Sequence, residues 1–312
     1  MQTLFDVILP VFLVIGFGYL ATWRHWISDE AIDAVMDFAQ NFAVPTLLFA
    51  GIARIDLGEN FHPPLLISFY SGALAGGLAG FLGARFLFRR ELTDSVAIGF
   101  VGMFSNSLLL GIPITERAYG EAALAWNYAI ISIHSPLLYA VGISAMELAR
   151  TAGMGLSGYR IFRQILTAIG QNPLVLGIAA GWIVNLSGLT LPRPVWDAVA
   201  LMNRAAIPAA LFALGGVLLR YRPEGDMRMI AWTIVASLVV HPVITYGLGH
   251  FAFGLGAGPL RSATITAAMA PGVNAYLFAN MYGVAKRVAA SAVLISTALC
   301  IVTTWVWLGL LP

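Results

Sequence analysis

The stretch FSNSLLLGIP, residues 104–113, lies in an apolar run that begins near Val96 and is long enough to cross a bilayer. Ser105, Asn106 and Ser107 stand in its middle, and Gly111 and Pro113 follow a turn or two later. Each resists the default solution, an unbroken apolar helix. A second apolar run has the same difficulty at PGVNAYLFAN, residues 271–280, with Pro271, Gly272 and Asn274. Hydrocarbon cannot satisfy loose backbone groups, so an unwound stretch must be buried in protein or line a wet cavity. Pro113 and Pro271 donate no backbone hydrogen bond and clash with the preceding turn. Gly111 and Gly272 let the chain bend and another backbone approach. A helix broken there points free N–H groups and partial positive charge into the cavity. Asn106 and Asn274 add amide donors, with Ser105 and Ser107 beside them. That set suits a carboxylate, and it also serves a neutral polar solute, or a cation through the freed carbonyls.

Composition identifies the solvent. Of 312 residues, 59% are hydrophobic and 10% charged, with a mean hydropathy of +0.84. Soluble chains average about 25% charged residues. The apolar excess has to face lipid, so the chain reads as a polytopic, all-α membrane protein. A net charge of +2 gives no reason to expect a nucleic-acid partner. The single cysteine, Cys300, forms no intrachain disulfide and reads as a small buried apolar residue. The opening MQTLFDVILPVFLV has no basic segment and carries Asp6, so it reads as a first spanning helix rather than a cleaved signal peptide.

Windows of about 20 apolar residues give ten spans. They lie near 4–22, 33–53, 64–88, 95–114, 121–147, 165–188, 197–219, 229–253, 260–283 and 288–311. No loop between them is long enough for a soluble domain, so residues 1–312 form one membrane domain. Alternate loops carry twelve Arg and Lys residues against four in the other set. The basic set belongs in the cytoplasm, which places both termini outside.

The prolines betray a repeat. Pro10 and Pro45 are 35 residues apart, as are Pro173 and Pro208, and a shift of 163 relates the pairs. FAVPTLLFA (42–50) then faces AAIPAALFA (205–213), and Tyr119-Gly120 returns as Tyr282-Gly283. Asn106 falls opposite Asn274 with a shift of 168. The expected organisation is two five-helix repeats, 1–148 and 164–312, joined by a short cytoplasmic loop at 149–163. An odd number of spans per repeat inverts the second against the first. Gly/Pro-interrupted spans at corresponding positions, here the fourth and ninth, point to a transporter's substrate site.

Ionisable and polar residues at membrane depth suggest function. Asp37, followed by Gln40 and Asn41, lies in the second span, and Arg204 in the seventh falls opposite Asn41. Asp37 and Arg204 read as an ion pair or coupling site beneath the crossover, or else as residues snorkelling to the headgroups. His134 in the fifth span suits a proton relay or a neutral hydrogen-bonded helix contact, and His241 in the eighth is a weaker candidate of the same kind. Tyr276 is placed to stack on or hydrogen-bond a substrate. Asn127, Asn172 and Asn185 read as polar glue between helices. Trp23, Trp26, Trp196, Trp305 and Trp307 read as interface anchors.

In these stretches, together with QNPLVLGIAAGWIVNLSGLTLP (171–192), IPAALFALGG (207–216) and APGVNAYLFANMYG (270–283), the sequence resembles the auxin efflux carrier family. That family spans bacterial malate and malonate permeases and plant auxin exporters. The resemblance covers essentially the whole chain. It implies ten helices in two inverted repeats, a scaffold and a transport domain with crossed broken helices, and a carboxylate at the crossover. It also implies elevator-type alternating access and a homodimer through the scaffold. The crossover residues it implies are Asn106, Asn274, Pro113 and Pro271. The short central loop indicates a bacterial-type member in the inner membrane.

The expected function is therefore a secondary carrier of small organic acids, coupled to H⁺ or Na⁺ or to neither, and not an enzyme. Alternatives are a sodium-coupled bile-acid-type symporter and a non-transporting sensor or channel. GLSG (155–158) matches the Gly-x-Ser-Gly of intramembrane serine proteases but falls in the most basic loop, with no histidine partner. Five scattered histidines and no His-Glu-x-x-His give no metal site, so no cofactor is expected.

Overall fold

The computed structural model describes residue 2 and residues 4–150 and 158–312. The middle of the 149–163 loop and most of the GLSG stretch lie outside these described residues. Within them the chain is helical, without strands. Apart from a one-turn helix at Leu57–Asn60, the helices are α1 (Leu4–Trp23), α2 (Asp29–Arg54), α3 (Pro63–Leu87), α4 (Leu92–Met103), α5 (107–119), α6 (Glu121–Arg150), α7 (Gly158–Gly170), α8 (Pro173–Ser187), α9 (Arg193–Leu219), α10 (Met227–Ala252), α11 (Ala257–Ala267), α12 (Val273–Tyr282) and α13 (Lys286–Leu310).

Seven of them are long and apolar enough to cross a membrane, or eight if α7 and α8, which meet at 77°, count as one span. The sixth run is thus not the straight helix that 165–188 suggested. The bend has a local cause. Asn172 caps α8, its side chain accepting from the Leu174 amide at 2.9 Å, and Pro173 follows in the first turn. Both features start helices rather than continue them. Large apolar side chains such as Phe86, Leu186, Leu201 and Phe251 are exposed on the outer surface, as a lipid-facing surface requires.

Proline leaves a recurrent mark on these helices. Wide turns with i→i+5 hydrogen bonding cover Leu4–Ile8, Ala39–Ala43, Ser107–Gly111 and Ala236–Val240. Each ends two residues before a proline, at Pro10, Pro45, Pro113 and Pro242 respectively. One extra residue in the turn relieves the clash between the ring and the preceding carbonyl. Pro136 and Pro208 are held inside α6 and α9 without such a turn.

Two groups of helices emerge. α1 packs along α9, and α8 along the second half of α2. The other group is built around α3, α4, α6, α10 and α13. In the first group, Gly18 lets α1 approach so closely that a Cβ there would land on the Phe212 carbonyl of α9. Gly181 does the same for α8, where a Cβ would meet the Phe49 carbonyl of α2 at 2.9 Å. A shift of 163 residues converts one contact into the other. Gly120 and Gly283, related by the same shift, end α5 and α12 with positive φ (83° and 75°).

Candidate functional site

The short helices form two interrupted pairs, α4–α5 and α11–α12, and the interruptions meet. Phe104–Asn106 is non-helical, with Asn106 at the centre of a tight turn in which the Ser107 amide donates to the Ser105 carbonyl at 2.8 Å, and Ser105 pairs with Pro271 as an isolated antiparallel bridge. The Asn106 amide donates to the Ala270 carbonyl at 2.8 Å, and the Gly272 amide donates to the Phe104 carbonyl at 3.1 Å. Each break thus supplies the hydrogen bonds the other has lost. α4 is buried from Ser95 to Met103 and α11 from Ser262 to Ala267, so neither break faces lipid.

Gly111 and Pro113, expected at the break, are inside α5 instead. The wide turn over Ser107–Gly111 absorbs Pro113, and the helix opens seven to nine residues earlier, at Phe104–Asn106. Asn106 is the reason it restarts where it does. Its side-chain oxygen caps α5 by accepting from the Leu109 amide at 3.1 Å.

Around the bridge lies a cavity of about 60 Å³. Ser105, Asn106, Ser107, His134, Ser135, Gly272 and Asn274 line it, and Gln40, Val44 and Leu48 of α2 with Leu174 and Ile178 of α8 close it. Ser105 and Ser107 hydroxyls lie 3.0 Å apart, and Ser107 Oγ lies 3.4 Å from His134 Nε2. With its oxygen used as a cap, Asn106 keeps its amide hydrogens for the cavity. Asn274 forms no side-chain hydrogen bond among the described residues, and the Val273 and Asn274 backbone amides at the start of α12 are likewise uncommitted. On one side of this largely apolar wall, the Asn106 and Asn274 amides and the start of α12 are unused donors at the positive end of a helix, a chemistry that receives an anion.

A family model described as "Membrane transport protein" matches residues 3–155 and 157–308. The chain belongs to this family, the auxin efflux carriers. It is a membrane transporter and not an enzyme. It is 26% identical to the "Putative malonate transporter" of Rhizobium meliloti, over 97% of this chain and 94% of that one. Identity is 21% to the "Uncharacterized transporter YfdV" of Escherichia coli K12 (96% and 95% covered). It is 23% to the rice "Probable auxin efflux carrier component 5b" (92% and 91% covered).

In this carrier the expected site residues separate. Asn106, Asn274, Ser105, Ser107, His134 and Gln40 converge on the one cavity. Tyr276 does not line it and packs against Tyr221, with ring centroids 4.9 Å apart. Asp37 and Asn41 are on the exposed face of α2, and the expected Asp37–Arg204 ion pair is absent among the described residues. The acid of α2 that finds an arginine is Asp33, one turn earlier. Arg220 Nη1 reaches its Oδ2 at 3.0 Å. Arg204 lies instead on a second cavity of about 1030 Å³, between α1, α2 and α9 on one side and α5 and α6 on the other. Pro113 lines this cavity as well.

Asn127 does join helices, donating to Thr115 of α5 (3.2 Å) and Thr266 of α11 (2.8 Å). Asn185 donates to the Ile52 and Ile55 carbonyls at the end of α2, at 3.0 and 2.8 Å. His241 is fully buried beside Phe69, off the cavity wall. Sequence inspection missed the apolar wall of Val44, Leu48, Leu174 and Ile178. In a chain this apolar nothing local sets such residues apart from lipid-facing ones. It also missed Asn203, whose spacing of 163 from Gln40 was a usable signal.

Proposed function

We propose that this carrier moves small organic anions, mono- or dicarboxylates, by secondary transport across a bacterial inner membrane. The observation that carries the proposal is the pair of bridged helix breaks with Asn106 and Asn274 on one cavity. The Asn106 and Asn274 amides bind the carboxylate, assisted by Ser105, Ser107 and the free amides of α12. In this reading the chain crosses ten times in two inverted repeats, with α4–α5 and α11–α12 as the fourth and ninth crossings. The equivalence of the Gly18–Phe212 and Gly181–Phe49 contacts favours that reading. The excess of Arg and Lys in alternate loops favours extracytoplasmic termini. The names of the relatives, which refer to malonate and auxin, favour carboxylates.

The cavity is small, about 60 Å³, and in this reading delivery of the substrate to the other side requires the two helix groups to move relative to each other. Elevator-type displacement of the α3–α6 and α10–α13 group along α1, α2, α8 and α9 accomplishes that, and a homodimer through the latter group belongs to the same reading. His134 is the one titratable side chain among the residues lining the cavity, which favours H⁺ over Na⁺ as the coupling ion.

The test is transport current in proteoliposomes after jumps of malonate, malate, lactate and indole-3-acetate. A saturable current for at least one acid is expected. Asn106→Ala and Asn274→Ala should each reduce it at least tenfold, because a lost hydrogen bond to a charged group costs about 1.5–3 kcal/mol. Unchanged affinity and flux in both folded variants would remove the crossover from the mechanism.

A further inference from the structure

The two cavities have related walls. Gln40 and Leu48 of α2 and Leu174 of α8 close the small cavity, and the 163-residue shift carries them to Asn203, Leu211 and Val11. All three of these line the large cavity. The crossover touches the Gln40 version of this wall, whereas the Asn203 version faces Ile112–Arg117 of α5 and the start of α6 across the large cavity.

The second version is charged differently. Asn203 has a buried side-chain oxygen without a hydrogen-bond partner. Arg204, in the middle of α9, forms no hydrogen bond or ion pair among the described residues. The other cations at this cavity are engaged. Arg54 stacks on Trp196 at 4.1 Å, and Arg117 Nε donates to the Asp6 carbonyl at 3.1 Å. Glu116 and Glu121 are exposed at the rim. Arg204 is exposed on this cavity, so its guanidinium is free to meet an entering anion, and low-dielectric cavity walls focus its field.

We propose that the α1–α9 wall is a second anion-binding half-site. When the crossover moves to it, the Asn203 amide takes the place that Gln40 holds here, and Arg204 receives the carboxylate of the substrate. This inference rests on the crossover reading above.

Radiolabelled malonate uptake in vesicles of both orientations tests it. The half-saturating concentration is measured separately on the membrane face carrying Gly120, where the large cavity has its charged rim, and on the opposite face. Arg204→Gln should raise the value at least fivefold on the Gly120 face and less than twofold on the other, while Arg204→Lys stays within threefold of wild type. Gln40→Ala should show the opposite asymmetry. If Arg204→Gln is not recovered folded, Asn203→Ala replaces it with the same expectation. Equal effects on both faces, or none, with flux still lost in Asn106→Ala, would overturn this inference alone. Flux intact in Asn106→Ala, or no malonate flux in wild type, would overturn the crossover reading and this inference together.

Discussion

His134 shows how surroundings set one side chain apart from another of the same type. In sequence it is a histidine in an apolar run, equal in standing to His241. In the structure it adjoins Ser107 at 3.4 Å and opens onto the cavity, whereas His241 is sealed behind Phe69. A proton entering with the substrate has no other titratable side chain among the residues lining that cavity. His134→Gln keeps a polar group of similar reach and removes the titration. Its flux at symmetric pH should stay within about threefold of wild type, since a single hydrogen bond is worth about 0.5–1.5 kcal/mol and glutamine can replace it. The stimulation by an imposed pH gradient should disappear. Full stimulation in this variant would place coupling elsewhere and make Na⁺ the next variable.

At the scale of elements, small residues set how closely helices approach, as they do where lipid offers no hydrophobic drive between helices. Gly18 and Gly181 are the clearest cases because each faces a backbone carbonyl. Valine at either should force α1 from α9 or α8 from α2, at about 1–3 kcal/mol of overpacking. The expected result is a fall of several degrees in the thermal midpoint of the detergent-purified protein, alike for the two variants. Gly16, one turn-half away with nothing within 4 Å, is the control and should tolerate valine. A Gly18→Val protein as stable as Gly16→Val would mean the interface is not packed as described. The wide turns before Pro10, Pro45, Pro113 and Pro242 belong to this scale too. Sequence locates the proline, but whether it breaks a helix or only widens a turn depends on what its neighbours can hydrogen-bond.

At the scale of the whole molecule, both cavities lie between the two helix groups, and relative movement of the groups is the step the proposed elevator mechanism calls for. Gly51 of α2 packs against the Tyr128 ring of α6 across this divide, a Cβ there falling 2.6 Å from the ring. Cysteines at both positions, in a Cys300→Ala background, should be joined by a short bifunctional thiol reagent. Joining them should abolish malonate counterflow, and cleaving the linker should restore it. Counterflow that survives complete cross-linking would rule out sliding of the groups as the transport step.

The sequence by itself determined the solvent, the apolar runs, the pairing of Asn106 with Asn274, and the family. These follow from hydropathy and from breaks in it, because a backbone in hydrocarbon must satisfy itself and any exception is visible as Pro, Gly or Asn. The tertiary structure alone decided that the first break opens at Phe104–Asn106 rather than at Gly111 and Pro113, since the lost hydrogen bonds are replaced by Ala270 and Gly272, more than 160 residues away. It alone put Gln40 on the cavity, left Asp37 on an exposed face, and set Arg204 on a different cavity. Those outcomes depend on the rotation of one helix about its axis against another. That rotation is fixed by close contacts such as Gly18 on Phe212, which hydropathy does not encode.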